Sequence, residues 1–157
     1  MLYATGMRRA ELIGLTDASV DLSGKTVKVL GKRNKERIIP IGTEICSLAE
    51  KYISIRNENS YNKTDKVFVT QKGSAIYPML VERVVKHYLS LFSNADRISP
   101  HVMRHTFATH LLDHGADINA IKELLGHANL SATQIYTKNT IERLKKTYKT
   151  AHPRAKE

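Results

Sequence analysis

Apolar residues recur at three- and four-residue intervals over most of this chain and at two-residue intervals in one early stretch. An α+β protein is expected, mostly α-helical, with a small antiparallel three-stranded sheet built around a β-hairpin. Residues 1–15 read as a helix broken near Thr5 and Gly6 and resumed at Met7, with Ala10, Leu12, Ile13 and Leu15 as its apolar positions. From Gly24 to Gly42 the period is two. Residues 26–30 and 37–41 form the hairpin arms, and the polar turn between them, Gly31-Lys32-Arg33-Asn34-Lys35, gives a very basic tip. A helix over residues 43–57 and a polar connector over 58–66 follow. Residues 67–70 and 75–77, separated by Gln71-Lys72-Gly73-Ser74, suggest the remaining strand and a short return.

The second half is helical throughout. Pro78 starts a helix that reaches about Leu91, with Leu80, Val81, Val84, Val85, Tyr88 and Leu89 on or near its buried face. Ser99 and Pro100 read as the cap and first turn of a helix ending at Asp113, with Gly115 as its stop. Asp117 caps a third helix, whose apolar positions are Ile118, Ile121, Leu124 and Leu125 and which Gly126 ends. Ser131-Ala132-Thr133-Gln134 has the form of a capping box, which places Tyr136 in the first turns of a short helix. A basic helix over residues 140–150 completes the pattern.

Charge narrows the partner. Twenty-five Lys and Arg against fifteen Asp and Glu leave a net charge of +10, with a pI near 9.8, which suits a polyanion such as double-stranded DNA. Cys46, the single cysteine, has no internal partner, so a reducing compartment is expected. No apolar run approaches the roughly 20 residues of a membrane span, and the opening residues lack the form of a secretory signal. A soluble, cytoplasmic protein with no membrane partner is expected.

Chemistry concentrates late in the chain. His101 and Arg104 are three apart at a helix start, where fixed positive charge and free backbone N–H groups favour one phosphate. The alternative for this pair is a capping histidine beside a solvent arginine. His127 follows the helix-ending Gly126, where it either faces a cleft or caps the helix. Tyr136 is either a half-buried core tyrosine or a nucleophile, and with an ordinary pKa of ~10 a nucleophile needs a base or cations nearby. The pairs His101/His105 and His110/His114 have metal-ligand spacing, but they point in different directions and no Cys or carboxylate pattern completes a site. Neither a metal nor a cofactor is expected.

Longer words carry a resemblance. Leu2-Tyr3-Ala4-Thr5-Gly6-Met7-Arg8, Gly31-Lys32 with Asn34-Lys35-Glu36-Arg37, Ser99-Pro100-His101-Val102-Met103-Arg104-His105, Leu124-Leu125-Gly126-His127 and Thr133-Gln134-Ile135-Tyr136-Thr137 are all present. Over residues 1–157 the chain resembles the catalytic domain of the tyrosine recombinases, the phage integrase family, and within it the bacterial Xer recombinases. The resemblance implies that Arg8, Lys32, His101, Arg104, His127 and Tyr136 form the catalytic set. It implies cleavage of one DNA strand by Tyr136 to a 3′-phosphotyrosyl intermediate, then strand exchange and religation without ATP or metal. Chromosome dimer resolution and mobile-element integration or excision both fit. A type IB topoisomerase-like relaxing enzyme and a non-catalytic DNA-binding module are the competing functions.

The resemblance also implies an N-terminal DNA-clamping domain, and the opening helices of the catalytic domain, in a longer protein. It further implies a homo- or hetero-tetramer on two DNA sites, joined through the C-terminal helix. Deleting the residues after Lys138 is then expected to abolish assembly and leave monomer binding intact. A solvated or DNA-touching terminal helix is the other reading of that segment.

Overall fold

Two short helices, α1 (Leu2–Thr5) and α2 (Arg9–Gly14), stand where the sequence predicts one interrupted helix. In the computed structural model, which describes residues 1–31, 34–58, 64–91, 99–126 and 137–155, Gly6 makes the break in the left-handed region at φ 60°. A Cβ there would overlap the ring of Phe107 on the later helix α5 (Pro100–Asp113), against which α1 packs. Glycine answers both constraints at once.

The hairpin forms as expected, from β2 (Thr26–Leu30) and β3 (Glu36–Pro40) in antiparallel register, with Val27 opposite Ile39 and Val29 opposite Arg37. Val27, Val29 and Ile39 are buried on its inner face. The third strand is not the expected one. It is β1 (Val20–Asp21), paired to β2 in the order β1-β2-β3. The segment after residue 66 makes only the isolated bridges Thr16 to Lys66 and Val69 to Ala75. Side chains take the place of a strand partner there: the Val69 N–H donates to the Tyr52 hydroxyl at 3.0 Å, and Arg56 donates to the carbonyls of Lys66 (2.9 Å) and Val67 (3.1 Å). Arg56 also grips Asp17 through two bonds of 2.7 and 2.9 Å, so the connector, briefly paired through the Asp17 N–H to the Asp65 carbonyl and the Val67 N–H to the Leu15 carbonyl, is clamped as well.

Helices α3 (Thr43–Glu58), α4 (Pro78–Ser90), α6 (Ile118–Leu125) and α7 (Lys138–Ala151) complete the fold close to the predicted bounds. The Asp117 carboxylate accepts from the N–H groups of Asn119 and Ala120, and Gly126 ends α6 at φ 64°, as their residue types require. The face expected for α4 is only partly covered. Val81 is buried, but Val84 and Tyr88 are exposed, because α4 touches α2 and α5 along one edge, where Arg9 pairs with Glu82. The capping box at 131–134 and the short helix expected for Tyr136 lie outside the described residues.

The last helix belongs to the core. Leu144, Tyr148 and Ala151 are buried against β3, α5 and α6, and the Tyr148 hydroxyl donates to the Ala4 carbonyl at 2.9 Å. Deleting the residues after Lys138 would therefore unroof the core, contrary to the expectation that binding survives it. His152 follows, fully buried, stacked on Tyr148 at 4.8 Å and tilted against Tyr3 and Phe107. The turn Pro153–Ala155 then packs on α3, with Arg154 paired to Glu44. Cys46 is buried as a free thiol. His110 bonds the Tyr3 hydroxyl through Nδ1 at 2.8 Å, and His114 Nδ1 donates to the His110 carbonyl at 2.7 Å. Among the described residues no helix is long and apolar enough to cross a membrane.

The ring of His152 carries a pH dependence. Its Nδ1 accepts the Arg154 N–H at 3.1 Å, and its Nε2 is buried with no hydrogen-bond partner among the described residues. Burial first, then repulsion from His110, Arg154 and His114 against an opposing contribution from the Tyr3 backbone, lowers its pKa from 6.5 to about 4. The unfolded chain therefore takes the proton first as pH falls. Stability present above pH 6.5 is lost between there and about pH 4, by on the order of 3 kcal/mol. Urea midpoints measured from pH 7.5 to 4.5 should fall accordingly, and His152→Phe should flatten that part of the curve. An equally steep fall in the variant would remove His152 as its cause.

Candidate active site

The site begins at a helix cap. Arg8 precedes α2 in extended conformation, and Glu11, three residues on, turns back so that its carboxylate accepts the Arg8 backbone N–H at 2.6 Å. A negative side chain in the first turn also suits the helix dipole. The same carboxylate accepts Nη1 of Arg8 at 2.9 Å and both terminal nitrogens of Arg37, at 2.7 and 2.8 Å. One buried carboxylate thus serves two guanidinium groups.

Arg37 comes to Glu11 from β3, where it occupies an inward position next to Ile39. Its Nε donates to the Leu124 carbonyl at 2.7 Å. Arg104, on α5, donates through Nη2 to the adjacent Leu125 carbonyl and through Nη1 to the Gly6 carbonyl, both at 2.6 Å. The last carbonyls of α6 lack partners within the helix and carry its negative dipole end, so two arginines satisfy both needs. Gly126 permits this approach. A Cβ there would stand 3.1 Å from the Arg37 side chain.

Arg8 is thus held on the Glu11 carboxylate, while Arg104 is held on two backbone carbonyls within the electrostatic reach of Arg8, Arg37 and Glu11. Burial first, then repulsion from Arg8 and Arg37 against the attraction of Glu11, lowers the Arg104 pKa from 12.5 to about 10. Arg104 remains charged at neutral pH. Glu11, which burial alone would push up, is held below its ordinary value by the bonds and charge of Arg37 and by the backbone and side chain of Arg8. Three guanidinium groups against one carboxylate leave an excess of two positive charges in a half-buried setting. Such a setting attracts an anion strongly, because the charges are poorly screened by water.

The sequence places Arg104 and His101 on one helix face toward a shared phosphate. In the structure Arg104 turns inward onto two carbonyls, while His101 stands exposed in the first turn of α5. Lys32, His127 and Tyr136 lie outside the described residues. Glu11 and Arg37 were not among the residues singled out. Their signals were an Arg8-x-x-Glu11 cap and a charged residue at an inward-facing strand position.

Comparison with known proteins gives the family. The chain belongs to the phage integrase family, whose pattern it matches over residues 1–143. It is 45% identical over 161 aligned residues to a protein named tyrosine recombinase XerC from Chlorobaculum tepidum, covering 99% of this chain and 48% of that one. It is 43% identical to a tyrosine recombinase XerD from Yersinia pestis, covering 99% and 53%. Among solved structures, the XerA recombinase superposes with a TM-score of 0.76 at 32% identity, over 98% of this chain and 56% of that one. XerH recombinase bound to its difH substrate superposes at 0.72 and 28% identity, over 90% and 43%. The chain spans about half the length of the curated relatives it matches.

The buried pair has a measurable energetic signature. Glu11→Gln leaves the Arg37 charge buried with a neutral partner, and should cost about 3–5 kcal/mol in urea unfolding at pH 7. Glu11→Leu combined with Arg37→Met should recover most of that loss. A double variant as unstable as the single would show that the pair contributes more than charge compensation.

Proposed function

We propose that this chain is the catalytic domain of a site-specific DNA recombinase that cuts and rejoins strands through Tyr136. The observation that carries the reading is the excess positive charge at Arg8 and Arg104, held in place before any ligand arrives. A phosphodiester brings the charge this cluster lacks, and its charge rises as phosphorus becomes five-coordinate.

In the proposed reaction Arg8 and Arg104 hold the non-bridging oxygens and His127 adds a hydrogen bond. The Tyr136 oxygen forms a bond to phosphorus while the bond from phosphorus to the 5′ oxygen breaks. His101 assists removal of the tyrosine proton, and Lys32, from the hairpin tip, supplies a proton to the departing 5′ oxygen. The product is a 3′-phosphotyrosyl ester and a 5′ hydroxyl. Because the ester keeps the bond energy, a 5′ hydroxyl from a partner strand reverses the step without ATP. Guanidinium charge fills the part that a divalent cation has in many phosphoryl transfers, so the reaction is proposed to need no metal.

The partner proposed for the chain is double-stranded DNA, acted on in the cytoplasm within a longer protein that supplies a second clamping domain. Chromosome dimer resolution and mobile-element integration or excision are the two settings proposed, and the relatives named tyrosine recombinase XerC and XerD fit either. Assembly is proposed as a homo- or hetero-tetramer on two duplexes through the C-terminal helix. Since the apolar face of α7 is covered by its own chain, a neighbouring subunit must meet its basic outer face or exchange the helix outright.

Covalent capture on nicked duplexes tests the chemistry. In EDTA the wild-type chain should give a Tyr136-dependent shift on a denaturing gel, and Tyr136→Phe should bind DNA yet give no adduct. An adduct from the phenylalanine variant, or cleavage that EDTA abolishes and magnesium or zinc restores, would overturn the mechanism.

A further inference from the structure

Arg37 is absent from the six residues of the proposed catalytic set, yet it touches more of the site's framework than any of those described. It sits on β3, immediately after the hairpin tip that carries Lys32. Its two terminal nitrogens hold Glu11 on α2, and its Nε holds the Leu124 carbonyl at the end of α6. Three elements meet on one planar group. Its side chain is 4% exposed, against 30% for Arg8, so Arg37 lies behind the site and does not face a ligand.

We propose that Arg37 is a positioning residue, one that fixes the placement of Arg8 and Arg104 relative to each other. The inference rests on the recombinase reading for what the two arginines do, but not for how they are held. Glu11 Oε1 is shared, at 2.7 Å from Arg37 Nη1 and 2.9 Å from Arg8 Nη1, so the direction in which Arg8 leaves the carboxylate depends on Arg37 occupying the other side. The Leu124 carbonyl taken by Arg37 adjoins the Leu125 carbonyl taken by Arg104. If the last turn of α6 shifts, the Arg104 acceptor shifts with it. The link runs through both arginines of the clamp.

Lysine at this position keeps the charge opposite Glu11 but has a single donor centre, so it cannot hold a carboxylate by two parallel bonds and a carbonyl by a third. A displacement near 1 Å of a phosphate-holding group costs about 100-fold in rate. Arg37→Lys should therefore fold and bind duplex like the wild type, and lose about 10- to 100-fold in single-turnover cleavage at saturating DNA. The deficit should shrink on a duplex with a methylphosphonate at the scissile position, where one non-bridging charge is gone and less depends on the clamp. A purely structural role predicts a loss that follows the folded fraction and is equal on both substrates. That result, or wild-type cleavage by folded Arg37→Lys, would overturn the proposal.

A second readout does not need turnover. In 15N spectra of the free chain, the two carbonyl bonds of Arg104 should slow rotation of its guanidinium, and Arg37→Lys should release it. An unchanged Arg104 signal overturns the proposal whether or not the chain cleaves DNA. A full-length parent protein that never cleaves, with Arg104 released in the variant chain, would sink the recombinase reading and leave the positioning role standing. If Arg37→Lys does not fold, Glu11→Leu combined with Arg37→Met replaces it. Native cleavage rate or an immobile Arg104 in that variant counts against the proposal.

Discussion

The carboxylate of Glu11 is the point on which the site's construction turns. It closes the start of α2, receives Arg8, and holds Arg37 through a two-bond fork in a place where almost no water reaches. A buried ion pair is weak support for overall stability, since removing both charges from water is costly. Its value here is geometric. Hydrophobic packing tolerates a range of offsets between α2, β3 and the end of α6, whereas a planar group bonded at three points to two elements admits few.

The charge balance follows from the same constraint. One carboxylate cannot neutralise three guanidinium groups, and the remaining partners of Arg104 are neutral carbonyls. Dipoles of that kind orient an arginine without cancelling its charge. The cluster is therefore held in place by its hydrogen bonds while remaining unbalanced as a set of charges. Additional carboxylates would have made the fold's electrostatics easier and the place for an anion weaker.

Local signals in the sequence were good guides to local structure. Asp117, Gly126, Pro78 and Pro100 marked helix ends correctly because a cap or a left-handed residue is decided within a few positions. The third strand was misplaced because a two-residue strand has no period of its own, and because the segment expected to supply it pairs only briefly with residues 15–17 before Tyr52 and Arg56 take over its bonding. The covered face of α4 was misjudged for a related reason. Periodicity says which side of a helix is apolar, not how much of it another element reaches. In the site, Arg8 and Arg104 were legible as motif residues. Glu11 and Arg37 were not, because each has its meaning only in contact with the other, across a separation of 26 residues.

The bond from Tyr148 to the Ala4 carbonyl spans 144 residues, nearly the whole chain. Its neighbours Tyr3, Phe107 and His152 stack in the same place, so the first helix, the middle of the chain and the last helix share one patch of core. A ribosome releases these pieces in order, so α1 meets α5 before Tyr148 and His152 arrive to close the patch over both. The hairpin forms from neighbouring residues, whereas the arginine clamp draws on the chain from Gly6 to Leu125 and must wait for α6. Until α7 arrives, the surfaces of β3, α5 and α6 that receive Leu144 and Tyr148 stay open to water, so the frame of the site and the cover of the core come from different stretches of the chain.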